Sequence, residues 1–195
     1  MNLLQQGGFM MWPLLVLSIA SLAVMAERFI VFTTRRLPSA TALSPIFDLF
    51  QTKGTDAALH EVEGIAPTYL QFFNALFNDL PLPAKEQKIH HVGEEVLFSF
   101  RRRLDFLATV ATTAPLIGLL GTVLGMINAF SRLSASGNVD ITMLAGGIWQ
   151  ALLTTAAGLS VAIPSLLAHR WFCREYDKNA FAMQHMSNTF LEGCK

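Results

Sequence analysis

The sequence predicts an all-α membrane protein with three transmembrane helices. The second and third extend into the cytoplasm, and short cytoplasmic helices lie between the first two. Three observations predict this. Three long runs carry no charged residue, basic residues are sorted to one side of those runs, and the stretch between the first two has apolar residues at helical spacing. The chain has 195 residues, of which 52% are hydrophobic and only 14% charged, against about 25% charged in a soluble domain. Lys plus Arg and Asp plus Glu each number 14, so there is no basic excess of the kind that marks a nucleic-acid surface.

A helix needs about 20 apolar residues to cross a bilayer core. Phe9–Ala26 supplies 18 uncharged residues, Leu107–Phe130 supplies 24, and Ile141–Ala168 supplies 28. The first run could be read as a signal peptide, with Ser21-Leu22-Ala23 as a cleavage-like triplet. Residues 1–8 lack Lys and Arg, however, and Arg28, Arg35 and Arg36 follow the run as a stop-transfer signal. The expectation is a retained span.

Orientation follows from Lys and Arg near the span ends. Arg28, Arg35 and Arg36 follow the first span, Arg101, Arg102 and Arg103 precede the second, and Arg170, Arg174 and Lys178 follow the third; only Arg132 lies on the other side. This predicts a periplasmic amino terminus and a cytoplasmic carboxyl terminus. The expected parts are 1–33 (amino-terminal segment and first span), 34–104 (cytoplasmic helices), 105–168 (second and third spans) and 169–195 (cytoplasmic helical tail).

Within 34–104, Leu43, Ile46, Phe47, Leu49 and Phe50, then Tyr69, Leu70, Phe72, Phe73, Leu76, Phe77 and Leu80, recur at helical spacing. Pro38, Gly54, Gly64, Pro67, Pro81 and Pro83 punctuate the stretch into short helices. From Lys85 a helical pattern runs into the second span with only Gly93 as an interruption.

The second and third spans are seamed. Small residues on one face let membrane helices approach closely. Ala111, Pro115, Gly118, Thr122, Gly125 and Ala129 are spaced by 4, 3, 4, 3 and 4, and Gly147, Ala151, Thr154, Gly158, Ala162 and Ser165 by 4, 3, 4, 4 and 3. At about 100° per residue each set fills a narrow arc. Thr155 and Gln150 flank the second set on opposite sides. Two readings stand for the threonines, which include Thr109, Thr112 and Thr113. Their hydroxyls either bond the carbonyl one turn back, or line a narrow hydrated path. Pro115 and Pro164 each remove a backbone donor within a span, either as tolerated kinks or to free a carbonyl for water.

No Asp, Glu, Lys, Arg or His lies in the three uncharged runs; Asp105 and Asp140 only bracket the second and third. Proton relays use a titratable group at membrane depth, so a proton-moving machine built from this chain needs a carboxylate from another chain. The five histidines lie outside the runs and read as surface or interface residues. Cys173 and Cys194 have neither metal-ligand nor disulfide-framework spacing. No nucleophile–base pair, phosphate loop or metal cluster is visible, so neither enzyme activity nor a cofactor is expected.

Three stretches resemble a known family, the MotA/TolQ/ExbB proton-channel proteins. They are Gly7-Gly8 through Met11-Trp12-Pro13-Leu14-Leu15 and Ser18-Ile19 to Glu27-Arg28; Ala108-Thr109-Val110 through Ala114-Pro115 to Met126-Ile127; and Gln150 through Leu159 to Ala162-Ile163-Pro164. Three spans look like the ExbB/TolQ branch rather than the four-span MotA branch, and the short length looks most like ExbB.

The resemblance implies a pentamer in the bacterial inner membrane around a dimer of a single-span ExbD- or TolR-like partner. The partner's membrane Asp carries the proton, and work passes to a TonB- or TolA-like protein. It implies that Thr122 and Thr155 are the second- and third-span pore threonines, with Thr154, Gln150 and Thr112 beside the path. Many relatives have Glu where this chain has Gln150, which puts a proton-holding role there in doubt. The extra hydroxyl of Thr154 leaves sodium as an alternative ion. A Tol-Pal subunit, a flagellar stator and a non-conducting scaffold remain alternatives.

Overall fold

The computed structural model describes residues 7–35, 37, 40–136 and 141–193. Arg36, Pro38, Asp140, Cys194 and residues 1–6 lie outside the described residues, so the readings placed on them stay at the level of sequence. All described elements are helical: α1 (Met11–Thr34), α2 (Ala40–Lys53), α3 (Thr55–Ile65), a 3-10 turn (Pro67–Tyr69), α4 (Leu70–Phe77), α5 (Leu82–Arg101), α6 (Leu104–Ser136) and α7 (Ile141–Gly193). Three helical stretches are long and apolar enough to cross a membrane, centred on α1, α6 and the first half of α7. The described residues divide between two compact units, Met1–Glu27 with Arg103–Trp171, and Arg28–Arg102 with Phe172–Lys195.

Three of the six expected breakers, Gly54, Pro67 and Pro81, act where the sequence put them, while Pro83 falls within the first turn of α5. Gly54 ends α2 with a φ of 84°, a left-handed conformation that side-chain-bearing residues avoid. Pro67 opens the 3-10 turn and Pro81 caps α5. Gly64 does not break α3, which runs on to Ile65. The helical run from Lys85 does not pass unbroken into the second span: it stops at Arg102–Arg103, where Arg103 has a φ of 66°. No glycine or proline marks that break.

A contact within the second unit satisfies the carbonyls that end α5. Arg28 is 5% exposed, and its Nη1 donates to the carbonyls of Ser99 at 3.3 Å and Arg102 at 3.1 Å. The last carbonyls of a helix have no partner within it and carry the negative end of the dipole. A guanidinium there satisfies both needs. Arg28, read from sequence as an orientation signal, is thus also the cap of α5.

The rest of the second unit is an aromatic core. Tyr69, Phe72, Phe73, Leu76 and Phe100 are essentially inaccessible. Phe77 stacks on Phe50 at 4.4 Å between centroids and lies 5.8 Å from Phe190, while the Lys85 ammonium sits 5.0 Å over the Phe190 ring. Phe32 lies against Phe100 and Phe172 at 5.5 and 5.3 Å. The Tyr69 hydroxyl donates to the Arg35 carbonyl at 3.1 Å, and burial raises its pKa well above the ordinary phenol value.

Candidate functional site

The site is built in the first unit, where α6 and α7 pack antiparallel. Their small residues meet face to face. A Cβ on Gly158 would lie 2.6 Å from the Ala114 carbonyl oxygen, one on Gly118 would lie 3.0 Å from that of Thr154, and one on Gly125 would lie 3.4 Å from that of Gly147. Gly147 in turn faces Ala129. The paired positions descend on one helix as they rise on the other, so a single seam runs the length of the contact. Gly118, Gly125, Ala151, Gly158, Ala162 and Ser165 are buried, while Ala111, Pro115 and Gly147 are half-buried. The sequence reading omitted two members, Ala114 at 0% exposure and Gly121, where a Cβ would lie 2.7 Å from that of Thr154. Both sit just off the arc on its α1 side, and their small size was the available signal.

α1 closes one side of the pair. Leu14 packs with Val110, Ala114 and Ala162, and Leu17, Phe106 and Ile117 extend the contact. The other face of α1 is exposed at Trp12, Val16, Ile19 and Leu22, as a lipid-facing surface requires. Glu27 pairs with Arg103 within the same unit.

The five ion-path candidates do not form one cluster. Thr122 is half-buried, and its Oγ1 donates to the Leu119 carbonyl at 2.7 Å. Thr155 is half-buried, and its Oγ1 crosses to the Gly118 carbonyl at 3.3 Å. Gly118 lies one turn from Thr122, so these two threonines share the rim of the seam. Thr154, only 1% exposed, faces Gly121 inside the seam and donates to the Ala151 carbonyl at 2.8 Å. Thr112 is exposed and donates to the carbonyls of Thr109 at 3.0 Å and Ala108 at 3.1 Å.

Gln150 is half-buried and sits against Gly8, which has a φ of 71° and no room for a Cβ because the Gln150 amide occupies it. Sequence reasoning did not foresee that contact. The Gly7-Gly8 pair was its only trace.

Chemically the rim offers hydroxyl oxygens and backbone carbonyls but nothing that titrates near neutral pH. Among the described residues no group of three or more His, Cys, Asp or Glu could hold a metal ion. The arrangement can solvate an ion or a water chain; it cannot take up and release a proton by itself.

Comparison with known proteins places the chain in a family. The profile described as the MotA/TolQ/ExbB proton channel family matches residues 72–185, more than half of the chain. The Tol-Pal system protein TolQ of Haemophilus influenzae is 48% identical over 71 residues, covering 36% of this chain and 31% of that protein. The biopolymer transport protein ExbB of Neisseria gonorrhoeae is 47% identical over 97 residues, covering 48% of this chain and 44% of that protein. The chain thus spans less than half the length of these two relatives. Biopolymer transport protein exbB1 of Vibrio cholerae is 29% identical over 211 residues, covering 98% of this chain and 88% of that protein. With three helices able to span a membrane and a profile match over most of its length, the chain belongs to the MotA/TolQ/ExbB proton channel family, in its ExbB/TolQ branch.

Proposed function

We propose that this chain is the channel subunit of an inner-membrane complex that converts the proton motive force into mechanical work, of the ExbB–ExbD–TonB type that powers TonB-dependent outer-membrane transport. One observation carries the reading. Thr122 and Thr155 share a polar rim on helices whose uncharged runs contain no titratable side chain. A proton path of this kind needs a carboxylate from outside. An ExbD- or TolR-like single-span partner with a membrane Asp supplies it, held within a homo-oligomer, a pentamer by family resemblance. Work then passes to a TonB- or TolA-like protein.

In this reading Thr122 and Thr155 face the partner Asp and water. Thr112 and Gln150 flank the path, and Thr154 sets the spacing of the helices that form it. The amino terminus is periplasmic and residues 34–104 and 169–195 are cytoplasmic, by the distribution of Lys and Arg. A second reading, a TolQ-like subunit of the Tol-Pal envelope system, is favoured by the TolQ match at 48% identity, level with the 47% of the ExbB match.

Valine keeps the shape of threonine and removes its hydroxyl. Thr122→Val combined with Thr155→Val is expected to leave the assembled complex intact and abolish energised uptake. Unchanged uptake by an intact complex would overturn the path and leave a scaffold. Deletion of the gene separates the two systems: loss of siderophore or vitamin uptake marks the TonB type, and loss of envelope integrity with uptake retained marks the Tol type.

A further inference from the structure

We propose that the backbone carbonyl of Ala111, released by Pro115, binds water on the Thr122–Thr155 face and forms the third acceptor of the ion path. The inference rests on reading that face as the path.

Proline has no N–H, so Pro115 cannot donate to the carbonyl four residues back, which is that of Ala111. α6 nevertheless runs from Leu104 to Ser136 with Pro115 inside it. A carbonyl freed at membrane depth must be satisfied by a neighbouring group or by water. Its position says which. Ala111, Pro115, Gly118 and Thr122 fall within an arc of about 60° on a helix of 3.6 residues per turn, so the freed oxygen opens on the same face as the two threonines. Ala111 and Pro115 are half-buried, like Thr122 and Thr155, so this face is not sealed within the protein.

The hydroxyls on that face already have their protons engaged. Thr122 donates to the Leu119 carbonyl and Thr155 to the Gly118 carbonyl. Each therefore presents lone pairs, and the Ala111 carbonyl has nothing else to present. The result is a line of acceptors rising about 16 Å along α6 from residue 111 to residue 122. Such a line holds water by its hydrogens and favours a hydrated cation over an anion. Pro164 makes a useful contrast. It also lies inside a span helix, but it is exposed and about 180° around α7 from Thr155. The carbonyl it frees does not open on this face.

Labelling alanine carbonyl carbons with carbon-13 and threonine nitrogens with nitrogen-15 marks only three peptide groups in this chain, Ala40–Thr41, Ala108–Thr109 and Ala111–Thr112. Solid-state NMR on the assembled full-length protein in phospholipid vesicles can then read polarisation transfer from water to the Ala111 carbonyl. The expected result is rapid transfer in the native chain, its loss in Pro115→Ala, where the helical hydrogen bond closes, and its retention in Pro164→Ala. Absence of transfer in the native chain would overturn the proposal, as would its persistence in Pro115→Ala. The readout does not depend on ion flux. If the valine pair leaves transport unchanged while Ala111 stays hydrated, the path reading fails; if Ala111 is dry while the valine pair abolishes transport, only the water station fails.

Discussion

The α6–α7 seam and the aromatic core of the second unit hold helices together by opposite means. In the seam the contacts are glycine to carbonyl and alanine to glycine, and a Cβ at Gly158 or Gly118 would press on the backbone opposite. In the second unit the contacts are ring to ring, with Phe50, Phe73, Phe77 and Phe190 around one centre. The proposed topology, with the seam in lipid and the second unit in water, accounts for the difference. Lipid tails resemble Leu, so large apolar side chains gain little by leaving lipid, and close backbone packing has to serve. In water, burial of rings is the main driving term. Side-chain growth should therefore break the seam and side-chain loss the aromatic core.

The largest effect is expected from loss in the second unit. Phe77→Ala should lower the stability of that unit by about 4 kcal/mol, read as a fall in its thermal midpoint with the membrane helices unaffected. Growth in the seam comes next. Gly158→Leu should separate α6 from α7 and destabilise the pair by about 3 kcal/mol, measured by denaturant unfolding in vesicles; an unchanged midpoint would show that the seam is not close-packed. Arg28→Ala should cost about 2 kcal/mol by leaving the α5 terminal carbonyls of Ser99 and Arg102 without their donor, with hydrogen exchange near residues 99–102 as the local readout.

Tyr69→Phe is expected to cost about 1 kcal/mol through the bond to Arg35. It also has a pH signature. Burial raises the Tyr69 pKa above its ordinary value of 10.0, so the folded state holds the proton more tightly than the unfolded chain. The stabilisation is complete below pH 10 and is lost as the pH rises above it. The phenylalanine variant should lack that alkaline loss. The smallest stability effect belongs to Thr155→Val, about 0.6 kcal/mol for one interhelical hydrogen bond in a membrane. Its effect on ion movement should be far larger, and that mismatch separates a path residue from a packing residue.

The spans and the seam were legible because membrane depth allows few solutions: uncharged length and small residues at intervals of three and four. The short helices were legible from Gly54, Pro67 and Pro81, whose backbone limits are local. The break at Arg102–Arg103 was not, since the side chain that satisfies the carbonyls there is Arg28, more than 70 positions away in sequence. Nor could sequence separate Thr154 from Thr155. Neighbouring positions on a helix differ by about 100°, and which of the two enters the seam depends on where α6 lies. The seat of Gln150 on Gly8 likewise needed the turn before α1, where only a glycine pair showed in the sequence.

The central claim is that this chain supplies the path and another chain supplies the proton carrier. Proton flux into vesicles tests it directly, with the full-length chain alone, with a single-span partner bearing a membrane Asp, and with that Asp changed to Asn. The account predicts flux only in the second case. Flux through the chain alone, or flux that survives the loss of the partner's carboxylate, would contradict it.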